Sequence, residues 1–207
     1  MATLLIKVPP STALTENQFY DLCRANPDIK IERTASGELL FMPPTGGETG
    51  NRNIEIAADF VLWNRQAQLG MLFDSSTCFK LPNGADRSPD VAWVQRDRWE
   101  ALPLAAREKF PPLAPDFVLE LMSPSDDLTT AQAKMVEYGE SGVQLGWLID
   151  RQQRRVWIYG AAAAPQVLDE PATLSGDPVL PGFTLDTSIV RRWVSDSNRT
   201  PASTPVI

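Results

Sequence analysis

The sequence predicts a mixed α/β domain, with a central mixed β-sheet flanked by helices and preceded by an N-terminal helix and β-hairpin. Three observations predict it. Short runs at 90–94, 117–122, 145–150 and 155–159 have the length of strands and are rich in Val, Ile, Leu and Trp. Stretches with helical spacing are interspersed with the strand-like runs along the chain. Finally, 207 residues with 43% hydrophobic and 22% charged composition suit one substantial core but not two comfortable domains. We therefore expect a single domain over 1–194, followed by a polar, disordered tail at 195–207.

The elements are expected in the following order. Thr15-Glu16-Asn17-Gln18 matches a capping box, and Phe19, Leu22 and Cys23 follow at helical spacing. Extended runs at 29–33 and 38–42, joined through Ser36-Gly37, read as a hairpin. The loop Pro43-Pro44-Thr45-Gly46-Gly47 leads into a helix over 49–68, whose apolar stripe is read as Ile54, Ala57, Ala58, Val61 and Leu62. Strands follow around Leu72, at 78–81 and at 90–94, with Pro82-Asn83-Gly84 as a turn. Two short helical pieces split near Pro103 fill 97–110. The strand at 117–122 precedes a helix reaching about Ser141, and strands at 145–150 and 155–159 complete the reading.

Composition excludes several chemistries. With no histidine there is no Ser-His-Asp or Cys-His triad and no HExxH zinc site. Cys23 and Cys78 lack CxxC spacing, which argues against a zinc centre or a disulfide framework and fits a reducing cytoplasm. No run approaches the roughly 18 apolar residues of a membrane span. The net charge of −7 argues against a nonspecific nucleic-acid binder, although a nuclease with metal-ligating carboxylates stays open. Any catalysis must use Asp, Glu, Lys, Tyr or Ser, with an oxygen-ligated metal as the natural partner.

Asp90 and Glu120 are the leading candidates. Alternation puts Glu120 on one strand face with Val118 and Met122, where an ionised carboxylate is expensive without a cation, a proton or several donors. On the helix after it, Ala131, Lys134, Met135 and Tyr138 share a face, so a lysine interrupts the stripe that should meet the sheet. A lysine snorkelling from the edge of that stripe is the plainer reading. Glu55, on the earlier helix, is a further candidate against a solvated surface role, and Asp90 after Ser88-Pro89 is also readable as a strand-start turn residue.

Asp90, Glu120 and Lys134 resemble the PD-(D/E)xK phosphodiesterase signature, in the variant of the Uma-type restriction endonucleases. Supporting features run from about Leu14 to Trp193: Glu32 with Gly37-Glu38-Leu39, Pro43-Pro44-Thr45-Gly46, Ser88-Pro89-Asp90, Val118-Leu119-Glu120-Leu121 with Ser123-Pro124, Lys134 with Tyr138, and Gly146-Trp147-Leu148-Ile149-Asp150. The lysine usual two residues after the glutamate is replaced by Met122, and the resemblance moves that role to Lys134 on the next helix.

The resemblance implies a restriction-endonuclease-like core and hydrolysis of phosphodiester bonds in nucleic acid, with DNA the first choice. Asp90, Glu120 and the Leu121 carbonyl would hold Mg²⁺ or Mn²⁺, Lys134 would orient water or stabilise phosphoryl charge, and Glu55 would complete the site through a bound water. A homodimer is the simplest way to cut both strands of a duplex. Arg52 and Arg87 are candidates for phosphate contacts. Two other readings stay open: a degenerate nuclease-fold module that binds DNA or a protein, and a glycosidase using Asp90 and Glu120 without metal.

Overall fold

A computed structural model of the chain describes residues 3–160 and 164–188, so the tail expected at 195–207 lies outside the described residues. In chain order the elements are β1 (Leu4–Ile6), a 3-10 turn (Pro10–Thr12), α1 (Glu16–Ala25), β2 (Lys30–Arg33), β3 (Leu39–Met42), α2 (Gly47–Ala67) and β4 (Gly70–Asp74). They continue with β5 (Phe79–Lys80), β6 (Asp86–Arg87), β7 (Val91–Gln95), α3 (Arg96–Glu100), α4 (Leu104–Arg107), β8 (Phe117–Leu121) and α5 (Leu128–Glu140). The last are β9 (Leu145–Asp150), β10 (Arg155–Tyr159), β11 (Gln166–Asp169), β12 (Thr173–Ser175) and β13 (Thr184–Asp186).

Local chemistry accounts for the boundaries. Thr15 and Gln18 form the reciprocal capping box at the start of α1: Gln18 N–H donates to Thr15 Oγ1, and Thr15 N–H donates to Gln18 Oε1 at 2.9 Å. The β2–β3 hairpin turns through Gly37 at φ +87°, a left-handed conformation that favours glycine. Asp127 caps α5 by accepting from the Thr130 N–H at 2.8 Å.

The expected central sheet is present, but the hairpin does not belong to it. The main sheet has the order β11-β10-β9-β8-β7-β4, antiparallel except for the parallel pair β8–β9. That pair needs a crossover, which α5 supplies. The hairpin instead nucleates a second, five-stranded sheet, β1-β3-β2-β6-β5, and β12–β13 form a small pair of their own. The short strand β6 joins it by pairing with β2 at Arg33↔Asp86 and brings β5 with it, whereas β7, which continues the same segment, pairs with β4 and β8 in the main sheet. The stretch from Asp86 to Val91 therefore passes from one sheet to the other, carrying Ser88 and Asp90 between them.

The two faces of the main sheet have different covers. Phe117, Leu119 and Leu121 pack with Ile56 and Phe60 of α2, beside Trp147 and Phe183. Val118 and Met122 pack with Met135 and Tyr138 of α5, beside Leu148 and Trp157. Alternation along β8 thus sends Glu120 toward α5, as its sequence neighbours require. The stripe expected on α2 is out of phase. Arg52, Ile56 and Phe60 are buried, with Ala57 and Trp63 packed beside them, whereas Ile54 is 65% and Leu62 58% exposed. The helix carries two apolar sides, and the one bearing the large aromatic rings buries more area against the sheet.

Candidate active site

Strand register delivers the two acids to one place. Val91 pairs with Leu119 across β7–β8, and one step further along that register Asp90 stands opposite Glu120. Asp90 Oδ2 accepts a hydrogen bond from Leu121 N–H at 2.9 Å, and Oδ1 faces Asn53 Nδ2 of α2 at 3.4 Å. Lys134 Nζ lies 2.7 Å from Glu120 Oε1, and the Tyr138 hydroxyl donates to the same oxygen at 3.0 Å. Both come from the α5 face that the spacing 131, 134, 135, 138 picks out, and Met135 and Tyr138 on it are buried. Gly146 helps this face sit close to the sheet: a Cβ there would meet Met135 Cε at 2.5 Å.

The second sheet adds Glu32, which the resemblance includes without a role, Arg87, expected as a phosphate contact, and Lys30, which sequence reasoning had not singled out. Lys134 Nζ is also 3.0 Å from Oε1 of Glu32, a β2 residue only 2% exposed. Glu32 Oε1 accepts from Ser88 N–H at 3.0 Å, and Oε2 pairs with Arg87 Nη1 at 3.2 Å. Arg87 Nε is bound in turn to Glu137 Oε2 of α5 at 2.5 Å. Lys30, two residues before Glu32 on the same strand, donates to the Ser88 carbonyl at 2.9 Å. A Lys-x-Glu alternation puts both on one side of β2, and that spacing was the available signal. Nothing in it reveals that the side faces another sheet.

Arg87 and Arg52 therefore do not have the exposed positions that phosphate-contacting arginines need. Arg87 is 7% exposed and engaged with Glu32 and Glu137; Arg52 is 5% exposed, with Nη2 at 2.8 Å from Glu48. Both are candidates for phosphate contacts in the sequence, but α2 turns Arg52 and β6 turns Arg87 inward to a carboxylate. Glu55 is exposed on α2, and its environment is that of Asp59, whose carboxyl it helps push upward after burial and Asp186. The structure brings Asp90, Glu120 and Lys134 together and does not bring Glu55 to them; the α2 residue that reaches Asp90 is Asn53.

The acids are not equivalent electrostatically. Burial raises the pKa of Asp90, opposed by Lys30, the Leu121 N–H and Lys134. Burial also raises that of Glu120, against Lys134, with Asp90 and Glu32 pushing the same way as burial. For Glu32 burial is the largest influence too, but Lys134, Arg87, Lys30 and the Ser88 N–H outweigh it and bring its pKa down to about 2. Lys134 is held well above the usual lysine value: burial lowers it, and Glu120 and Glu32 more than compensate. It stays an ammonium throughout the physiological range.

Among the described residues, no group of three or more His, Cys, Asp or Glu side chains is placed to hold a metal. A hard divalent ion would have to use the Asp90 and Glu120 carboxylates with neutral oxygens and water, the ligand set typical of Mg²⁺. Two features fit that set. Met122 N–H bonds to Ile149 O on the β9 side, so the backbone groups of Leu121 alternate toward Asp90. Asn53 Oδ1 is buried and has no hydrogen-bond partner. Oxygens from Leu121 and Asn53 thus lie in the neighbourhood of the two carboxylates.

The fold is shared with a solved structure described as "Crystal structure of a putative nuclease belonging to DUF820 from Anabaena variabilis ATCC 29413", with TM-score 0.72 and 19% sequence identity, covering 87% of this chain and 99% of that one. No curated protein matches the chain. The Uma2 family, described as "Putative restriction endonuclease", matches residues 16–188, a span running from the first turn of α1 to the end of the described chain and including Glu32, Asp90, Glu120 and Lys134. With its restriction-endonuclease-like core, this chain belongs to the Uma2 family.

Proposed function

We propose that the protein is a metal-dependent endonuclease that hydrolyses phosphodiester bonds in nucleic acid, DNA first, through Asp90, Glu120 and Lys134. The observation that carries this reading is the 2.7 Å contact of Lys134 with Glu120: an ammonium from α5 stands where the strand itself offers only Met122. Asp90 and Glu120, with the Leu121 carbonyl, would hold Mg²⁺ or Mn²⁺. When bound, such an ion lowers the pKa of water and offsets charge on the phosphoryl oxygens.

The chain's own residues do the rest. Asp90 is fixed by the Leu121 N–H and so presents its carboxylate in one orientation. Glu120 keeps one oxygen on Lys134 and Tyr138 and leaves Oε2 without a hydrogen bond among the described residues. The Lys134 ammonium, always charged, can donate to a water or to a phosphoryl oxygen without giving up its proton. Two such sites related by a two-fold axis would cut a duplex, and a homodimer is part of the proposal.

The test is cleavage of single- and double-stranded DNA by purified protein, with Mn²⁺ or Mg²⁺ against EDTA, for the wild type, Asp90→Ala and Lys134→Ala. Cleavage that needs metal and disappears in both variants supports the proposal. Cleavage lost with Asp90→Ala but kept with Lys134→Ala would remove the lysine from the site. No wild-type cleavage and no metal binding by calorimetry would favour a nuclease-fold module that binds nucleic acid or a protein.

A further inference from the structure

The ammonium of the site sits on a four-carbon stem from a helix, not on the strand beside Glu120. A flexible ammonium next to a single carboxylate is free to move over either of its oxygens. That arrangement would neutralise Glu120 and compete with any cation for it. A second carboxylate shares the ammonium here. Lys134 Nζ is held between Glu120 Oε1 at 2.7 Å and Glu32 Oε1 at 3.0 Å.

Glu32 is well placed to act as a fixed anchor. It is 2% exposed, and its two oxygens are pinned by Ser88 N–H and by Arg87. Arg87 is locked to Glu137, which lies on α5 within one turn of Lys134. Ser88 lies two residues before Asp90. One carboxylate in the second sheet therefore ties the segment that carries Asp90 to the helix that carries Lys134.

We propose that Glu32 is a positioning residue: by sharing the Lys134 ammonium it confines that group to one oxygen of Glu120, leaving the other for a metal ion and the ammonium aimed at substrate. The proposal rests on the nuclease reading. Its logic is that Glu32 acts through Lys134, so its effect must vanish when Lys134 is gone.

The experiment is a double-mutant cycle on the full chain with Glu32→Gln, Lys134→Met and the double variant, measuring Mn²⁺ affinity by calorimetry, kcat and KM on DNA, and Tm. Glu32→Gln should weaken Mn²⁺ binding about tenfold, because Lys134 collapses onto Glu120. It should lower kcat about 10- to 100-fold with little change in KM. In the Lys134→Met background the same substitution should change neither. Equal losses in both backgrounds, or unchanged Mn²⁺ affinity in Glu32→Gln, would overturn the proposal and leave Glu32 a structural residue. Should Glu32→Gln not fold, Glu32→Asp keeps the charge but withdraws it by one methylene, and Mn²⁺ affinity should fall in the same direction by less. An unchanged affinity there would equally overturn it. A wild type that cleaves and binds Mn²⁺ while the cycle is additive sinks only the Glu32 proposal; a wild type that does neither sinks the nuclease reading and this inference with it.

Discussion

Two acidic pockets flank Lys134, and the protein treats them in opposite ways. On the second-sheet side, Glu32 is surrounded by Lys134, Arg87, Lys30 and a backbone N–H, and its pKa falls to about 2. On the main-sheet side, Asp90 and Glu120 are buried with less compensation, repel each other's charge, and have raised pKa values. Burial alone does not decide the state of a carboxylate; the count and reach of nearby donors do. The saturated pocket is built to hold its shape. The under-compensated pair would be relieved by one added cation, as expected of a metal site.

The largest expected effect comes from removing the under-compensated pair's chemistry. Asp90→Ala should cost about 10³-fold or more in metal-dependent kcat, corresponding to several kcal/mol of lost transition-state stabilisation. Lys134→Ala should cost about 10²- to 10³-fold. It should also lower stability by roughly 3 kcal/mol, because it takes a cation from both pockets, as urea denaturation at neutral pH will read.

A thermal-shift series in Mn²⁺ sharpens the contrast. Metal at 100 times its Kd should stabilise the wild type by about 2.7 kcal/mol and leave Asp90→Asn unmoved. Without metal, Asp90→Asn should melt no lower than the wild type, since a carboxyl with a raised pKa opposes folding once ionised. An equal Tm rise with metal in both proteins would place the ion elsewhere.

The acid response separates the pockets by sign. A folded pKa of about 2 for Glu32 means its contribution is complete above the ordinary carboxylate range and is lost as the pH falls through about 2. Asp90 and Glu120 act oppositely, costing stability at neutral pH and ceasing to do so as they protonate. Glu32→Gln should therefore be less stable at neutral pH by roughly 3 kcal/mol and flatter in the acid limb of a stability–pH curve. The smallest effect belongs to Glu55→Ala: on the exposed side of α2 it should stay within about 0.5 kcal/mol of the wild type and keep cleavage. A large loss of cleavage there would return Glu55 to the site.

Legibility in the sequence followed the range of the interaction. The strands β9 and β10 fall where their apolar runs put them, and α5 ends at Glu140, one residue from its expected limit. The faces of Glu120 and Lys134 were also legible, from alternation along β8 and the 131–134–135–138 spacing on α5, whereas their grouping with Asp90 was expected only from the family resemblance, because it depends on the β7–β8 register. The inward face of α2 was not. Ile54, Ala58 and Leu62 make as good a stripe as Ile56, Ala57, Phe60 and Trp63, and only the presence of Phe117, Trp147 and Phe183 across the gap chooses between them.

The sequence by itself determined the class of the fold, the strands and helix that carry the acids and the lysine, and, through the absence of histidine, the exclusion of histidine-based catalysis. These depend on composition and on periods of two and 3.6 residues, which are properties of neighbours in the chain. Only the tertiary structure decided that the hairpin forms a separate sheet, that Glu32 and Arg87 turn inward, and that Asn53 rather than Glu55 reaches Asp90. Glu32 and Lys134 are 102 residues apart, and no local pattern can pair them. The pairing exists because two sheets and a crossover helix close around the same few charges, and a buried charge is tolerated only where its partners arrive from elsewhere in the fold.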